Sequence, residues 1–187
     1  MHKLFPSQRP DEKIYLAIRE HWVLLVLKLL VWLVVAVPLF AYYWFGQEVL
    51  PGLFEGQIGL LLHLFAQVYM ASLLISLLVI FVLYYLNIHI ISSVRIVDID
   101  QQGLLSHVVS ELNIDKIEDV TSETNGMLGT MFDFGTVYIQ TAAAKERFEF
   151  QNVPNPGLLT KIILDLYEKI HHTKQPQEQI QTHKVTL

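Results

Sequence analysis

Residues 126–156 read GMLGTMFDFGTVYIQTAAAKERFEFQNVPNP, and the periodicities in this stretch decide the fold of the second half of the chain. Phe148 and Phe150 alternate with Arg147, Glu149 and Gln151, the period of two expected of a half-buried strand. Val137 and Ile139 repeat the pattern against Thr136, Tyr138 and Gln140. Asn125-Gly126 reads as a hairpin turn before them, and residues 142–145 as a small-residue turn between them. Working backwards, NIHIISS (87–93), VRIVDID (94–100), LLSHVVSELN (104–113) and IEDVTSET (117–124) add four further β-type runs. Runs spaced roughly 8–12 residues apart predict an antiparallel sheet closing into a small barrel or sandwich.

Working forwards, Asn155 is placed to cap a helix and Pro156 to open it, because the first helical N–H has no partner to lose. Leu158, Leu159, Ile162, Ile163, Leu166 and Ile170 form an apolar stripe, with Lys161, Asp165 and Lys169 on the other face. The stripe must cover something apolar, and the open end of the barrel is the available surface. Residues 173–187, rich in glutamine and without a core to join, are expected to be disordered.

The first half has a different texture. Trp22–Phe45 is interrupted only by Lys28 and Pro38, and Ile58–Leu86 carries no formal charge. A helix rises about 1.5 Å per residue, so about 20 apolar residues cross a hydrocarbon core of roughly 30 Å. Both segments are long enough, and a transmembrane helical hairpin over residues 22–86 is the expectation. The first run is also longer than a signal-peptide core and begins after twenty mostly polar residues, so it reads as a retained anchor. Lys3, Arg9, Lys13 and Arg19 precede the first span, whereas the connecting loop has Glu48 and Glu55 and no Lys or Arg. The positive-inside rule then puts both termini in the cytoplasm. Within the second span, His63, Gln67, Ser72 and Ser76 are candidate intramembrane polar contacts, read as interhelical hydrogen-bonding groups ahead of a proton relay. Residues 1–21 read as helical: Ser7 or Asp11 is placed to cap, and Ile14, Ile18 and Trp22 recur every four residues.

The whole-chain averages agree with this division. The 187 residues are 52% hydrophobic and only 17% charged, with no cysteine and a formal charge of −5. That excludes a disordered chain, a disulfide scaffold, a thiolate metal site and a catalytic cysteine. It also disfavours nucleic acid as a partner, since such binders carry a basic face.

Taken together, the run from Gly126 to Pro156 resembles the signature of small bacterial pleckstrin-homology (PH) domain membrane proteins. It carries Leu128-Gly129, a short apolar stretch, Gly135-Thr136-Val137, Gln140-Thr141-Ala142 and the Val153-Pro154-Asn155-Pro156 helix start. FPSQRPDEKIYLAIREHW, residues 5–22, resembles the stretch before the first span in the same family. The resemblance spans roughly residues 5–170. It implies a membrane hairpin followed by a PH-like domain over 87–172, with six or seven antiparallel strands and a C-terminal helix. That domain would face the cytoplasm from the bacterial inner membrane. Ser92-Ser93 departs from the family's threonine-plus-basic pair, which weakens a ligand role for that turn.

These motifs are structural, so activity must be argued from side chains. Between residues 87 and 173, Arg95, Lys116, Lys145, Arg147, Lys161 and Lys169 face twelve carboxylates, which disfavours anionic lipid head groups. Asp98 and Asp100 share a strand face near Glu118-Asp119, but carboxylates scattered on strands usually form a solvated face, and no calcium-loop spacing occurs. His171, His172 and His183 do not form a metal motif either. No nucleophile elbow, phosphate loop, dinucleotide fingerprint or zincin motif is present. Neither catalysis, cofactor nor metal is expected. Met127, Leu128, Met131 and Phe132 form an apolar loop that either plugs the barrel or contacts a partner or the membrane. The expected role is a membrane-anchored binding or scaffold protein without chemistry of its own. Its expected partners are the bilayer and other membrane or cytoplasmic proteins, with self-association left open. The alternative is an accessory subunit of a transport or export complex using His63 and Gln67; a membrane-bound enzyme of unrecognised type ranks third.

Overall fold

A computed structural model describes residues 12–49, 51–101, 103–141 and 148–185, with Gln47 and 171–185 as backbone alone. The chain divides into two units. One contains the described residues up to His21, Leu86 to Gln101, and Ser106 onward; the other contains Trp22–Tyr85 and Gly103–Leu105.

The first unit holds seven strands: β1 (Ile14–Ile18), β2 (Ile88–Ser92), β3 (Arg95–Gln101), β4 (His107–Asn113), β5 (Ile117–Glu123), β6 (Phe134–Thr141) and β7 (Phe148–Pro154). All neighbouring pairs are antiparallel, in a four-stranded sheet β1-β2-β3-β4 and a three-stranded sheet β5-β6-β7. All six runs read from the sequence are strands. The seventh, β1, lies within the 1–21 segment expected to be helical, of which residues 12–21 are described. Ile14 and Ile18 are four apart, which suits a helix, but a bulge between Ile14 and Leu16 turns Ile14 to the Ile90–Val97 cluster and leaves Leu16 and Ile18 on the other face. Leu16 and Ile18 turn to the core while Tyr15 and Ala17 are exposed. Pairing of β1 with β2 joins residues 71 to 78 apart in the chain, so local spacing does not reveal it. The proposed caps Ser7 and Asp11, and the turn at 142–145, lie outside the described residues.

One core runs through both sheets. Ile91, Ile96 and Leu112 of the first sheet meet Val120, Val137, Ile139 and Phe150 of the second. Each such side chain contributes about 1.5–3 kcal/mol on burial. In β5 and β7 strict alternation is broken at ladder bulges. Ile117 and Val120, and likewise Phe150 and Val153, are buried three apart, where the ladders shift between Ile117 and Asp119 and opposite Gly135 and Val137. At the second bulge Asn152 adopts φ 55°, which returns Val153 to the core. Edge strands of the two sheets are tied by the His21 N–H, which donates to the Asn152 carbonyl at 2.8 Å.

A helix, α4 (Pro156–Val185), opens at Pro156 as expected and packs on β5 and β6. Pro156, Leu159, Ile163 and Leu166 are its buried positions among the described side chains; Leu158, counted in the expected stripe, is exposed. The helix continues to Val185, which corrects the expectation of a disordered tail from 173. Glutamine, glutamate and lysine are good helix formers and extend a register that packing has already nucleated.

The other unit is the connection between β1 and β2. It consists of α1 (Trp22–Val49), a 3-10 turn at Pro51–Leu53, and α2 (Gly56–Leu86), bracketing the two expected segments. Both helices are long and apolar enough to cross a membrane by length and composition. The buried positions of α2 are Gly59, Ala66 and Leu73, seven apart, a seam with small residues at two of its three positions. A short helix, α3 (Gly126–Phe132), completes the first unit where a hairpin loop was expected.

Candidate functional site

Strand register brings a group of polar side chains together between β2, β3 and β7. His89 on β2 stands opposite Asp98 on β3, and its Nδ1 lies 2.7 Å from Asp98 Oδ1. A carboxylate only accepts, so the ring nitrogen donates. The imidazole also packs over Phe150 of the other sheet, with centroids 4.5 Å apart. His89 and Asp98 border a cavity of about 130 Å³ that Glu20, Asp100, Glu149, Asn87 and Gln151 also line. Among the described residues four carboxylates and no Lys or Arg line it, an arrangement that disfavours phosphate and suits a cationic or hydrogen-bond-donating group. Among the described residues, no group of three or more His, Asp or Glu is placed to hold a metal.

Sequence reading put Asp98 and Asp100 on one strand face, and they do share this cavity. Glu118 and Asp119, considered with them, do not line it. Glu20, His89 and Glu149 were missed, because only the approach of β7 to the β2–β3 pair brings them together. The alternation of Glu149 with Phe148 and Phe150 was the available signal, and it fixed their faces without naming the neighbour. His171, His172 and His183 have side chains outside the described residues.

A second polar cluster is structural. Ser92 is fully buried; its hydroxyl lies 2.6 Å from Glu12 Oε1 and accepts the Arg95 N–H at 3.0 Å. Arg95 donates to Glu111 Oε2 at 2.6 Å, and its Nε lies 3.2 Å from Glu12 Oε1. The hydrogen bond to Glu111 raises the guanidinium pKa, desolvation opposes it, and the Glu12 charge adds to the rise. Ser92 thus serves as a joint between β1, β2 and β3, in keeping with the doubt about a ligand role for Ser92-Ser93.

His21 closes the same domain at its other seam. Its ring stacks on Phe134 with centroids 5.3 Å apart. Desolvation lowers its pKa below the ordinary 6.5, with Asp133 partly opposing. Folding therefore favours the neutral ring, and between the folded and unfolded pKa values the unfolded chain binds more protons. The contribution is fully present above pH 6.5 and is lost as pH falls below it. His21→Phe, which keeps the stack, is expected to flatten the loss of thermal stability between about pH 7.5 and 5.5. An unchanged slope in melting curves of the two proteins would exclude His21 as the cause.

The sequence-predicted contact loop is α3. Met127, Leu128 and Met131 are exposed and Phe132 is half-buried, so the first three do not plug the barrel. Gly129 is the buried position of that helix, and Phe134, one residue past its αL cap at Asp133, supplies the core contact. In the helical hairpin, Tyr42 Oη and His63 Nδ1 are 2.6 Å apart. Trp32 donates to the Leu73 carbonyl and to Ser76 Oγ, and Ser72 donates to the Tyr69 carbonyl of its own helix. His63 and Ser76 are thus interhelical contacts, Ser72 is not, and Gln67 faces outward.

Comparison with known proteins follows the same lines. The family model described as the bacterial PH domain matches residues 14–167. A crystal structure of a DUF1696 family protein with a pleckstrin-homology domain from Shewanella loihica PV-4 is similar at 16% identity. That similarity covers 43% of this chain and 70% of the other, with a TM-score of 0.35. No curated protein matches the chain.

Proposed function

Since the chain belongs to the bacterial PH domain family, we propose that it is an integral membrane scaffold: a two-span anchor carrying a cytoplasmic PH-like domain that binds protein partners and performs no chemistry of its own. One observation carries the anchor. Large apolar side chains on the outside of the hairpin are exposed, with Phe40 at 68%, Phe65 at 72% and Trp44 at 77%. Water would penalise this area at about 25 cal/mol per Å², whereas lipid tails solvate it. The flanking charges favour cytoplasmic termini. The cavity's four carboxylates support a partner other than an anionic head group. His63, held by Tyr42 inside the hairpin, supports helix packing over a transport relay.

The chain has no cysteine, so single cysteines at Gly52 and Ser106 report topology directly. In intact cells an impermeant maleimide is expected to label Gly52→Cys alone; labelling of Ser106→Cys would reverse the orientation. For binding, the exposed tip of α3 is the partner-contact surface. Met127→Ser with Leu128→Ser is expected to leave the melting temperature nearly unchanged, as exposed positions typically shift stability within about 0.5 kcal/mol. The same pair is expected to abolish recovery of partners in mild detergent. Full recovery with the altered tip would move the contact elsewhere on the domain.

A further inference from the structure

The polar side chains in the body of α2, from Ile58 to Leu83, are His63, Gln67, Tyr69, Ser72 and Ser76. Four are satisfied inside the hairpin: His63 by Tyr42, Tyr69 by the Val35 carbonyl, Ser72 by the Tyr69 carbonyl, and Ser76 by the Leu73 carbonyl. Gln67 makes no hydrogen bond among the described residues and is exposed. At about 100° per residue it lies roughly a quarter turn from the Gly59–Ala66–Leu73 seam, on an outer face with Leu60, Leu64, Ala71, Leu74 and Leu78. Those neighbours are all exposed. Its depth matters as much as its direction. Gln67 stands four residues from the middle of a 31-residue helix, about 6 Å along the axis, well inside a hydrocarbon core of roughly 30 Å. Neither water nor head groups reach that depth, and the glutamine side chain is too short to snorkel out.

We propose that the Gln67 face of α2 is a self-association surface whose occupant is a second copy of this chain in the same membrane. A carboxamide carries two donors and an acceptor, so it is complementary to itself. Two copies inserted in the same direction and related by a two-fold axis along the membrane normal bring both Gln67 side chains to the same depth. Each amide N–H then donates to the other's carbonyl, which satisfies both groups. Ala71, one turn further along, permits close approach of the backbones, and the four leucines pack around the pair. The hairpin's own polar groups are occupied internally, so this face presents the one unsatisfied polar side chain in the body of α2 among the described residues.

The inference rests on the membrane reading proposed above, and its test separates the two. The full chain is reconstituted in phosphatidylcholine–phosphatidylglycerol vesicles and washed with alkaline carbonate. Release by the wash overturns the anchor and this proposal together; retention leaves self-association to be decided alone. Single cysteines at Leu64, Ala71 and Leu74 are expected to form disulfide-linked dimers, while Ile58→Cys and Phe65→Cys on the opposite face do not. Energy transfer between labelled copies is expected to weaken for Gln67→Leu, raising the protein-to-lipid ratio at half-dimerisation by about tenfold. Gln67→Asn retains most of the association. Leucine favours insertion, so loss of transfer in that variant is not a failure to enter the bilayer. Monomers at every ratio, cross-links from all faces alike, an unchanged Gln67→Leu, or cross-linking only to a different protein in native membranes would each overturn the proposal.

Discussion

Replacing Arg95 with alanine is expected to destabilise the PH domain by about 3–5 kcal/mol, because it removes one partner of a buried ion pair. The Glu12 side chain has no exposed surface, and the guanidinium supplies positive charge beside it while also bonding Glu111. Without Arg95 a carboxylate sits in a low-dielectric seam with its compensating charge withdrawn. For a domain of about 100 residues, this shift lowers the melting temperature by more than about 10 °C. The measurement is a thermal melt of the full chain in mild detergent. Replacing both partners, Glu12→Met with Arg95→Met, is expected to restore most of the loss, since an apolar pair needs no charge balance. A single variant that melts with the parent would show that the seam is solvated. The placement explains the cost: Glu12 precedes β1, Arg95 opens β3, and the whole helical hairpin lies between them in sequence. The pair fastens β1, the strand before the hairpin, to the sheet after it.

Gly135→Ala is expected to cost about 3 kcal/mol, at the upper end for overpacking. An added Cβ would lie 2.3 Å from the Glu123 carbonyl oxygen and 3.1 Å from the Thr124 Cα, all backbone atoms. Neither can rotate away, so β5 and β6 must part where the ladder pairs Glu123 with Thr136. Gly157→Ala is the matched control: nothing lies within 4 Å of its Cβ position and the residue is helical. That change is expected to stabilise by about 0.4–1 kcal/mol through reduced freedom of the unfolded chain. Melting curves of the two variants should therefore move in opposite directions. Equal shifts would mean that the close approach at Gly135 is relieved at little cost.

Gly135 also shows what kind of information the family signature holds. Gly135-Thr136-Val137 is a steric requirement: a glycine where two strands touch, followed by a residue that returns to the core. Such motifs specify a fold and leave the ligand open, which is why Glu20, His89 and Glu149 could not be grouped in advance with Asp98 and Asp100. Each is an ordinary polar position in its own strand or turn. The mistaken expectations share one cause. Ile14 and Ile18 satisfied a helical spacing, whereas pairing with β2 bulges the strand after Ile14 and sends the two side chains to different clusters. Asn125-Gly126 suited a hairpin turn, yet the residues after it wind into α3 because β6 begins only at Phe134. Composition left the apolar loop open between plug and contact, and the structure buries Phe134 while leaving Met127 and Met131 exposed.

By itself, the sequence determined the two apolar helices, the six strands from Ile88 to Pro154, the helix opening at Pro156 and the family to which they belong. Each is written in a local period, in the spacing of turn residues or in a run longer than a bilayer is thick, and such signals survive without neighbours. Only the tertiary structure decided that a seventh strand precedes the hairpin, so that the hairpin is an insertion into the domain and not its leader. It alone showed which polar side chains of α2 find partners and which one faces outward, and it alone gathered the carboxylates of two strands and of the segment after β1 around a cavity. Those outcomes depend on contacts between residues far apart in the chain, whose free energy appears only once the core has brought them together.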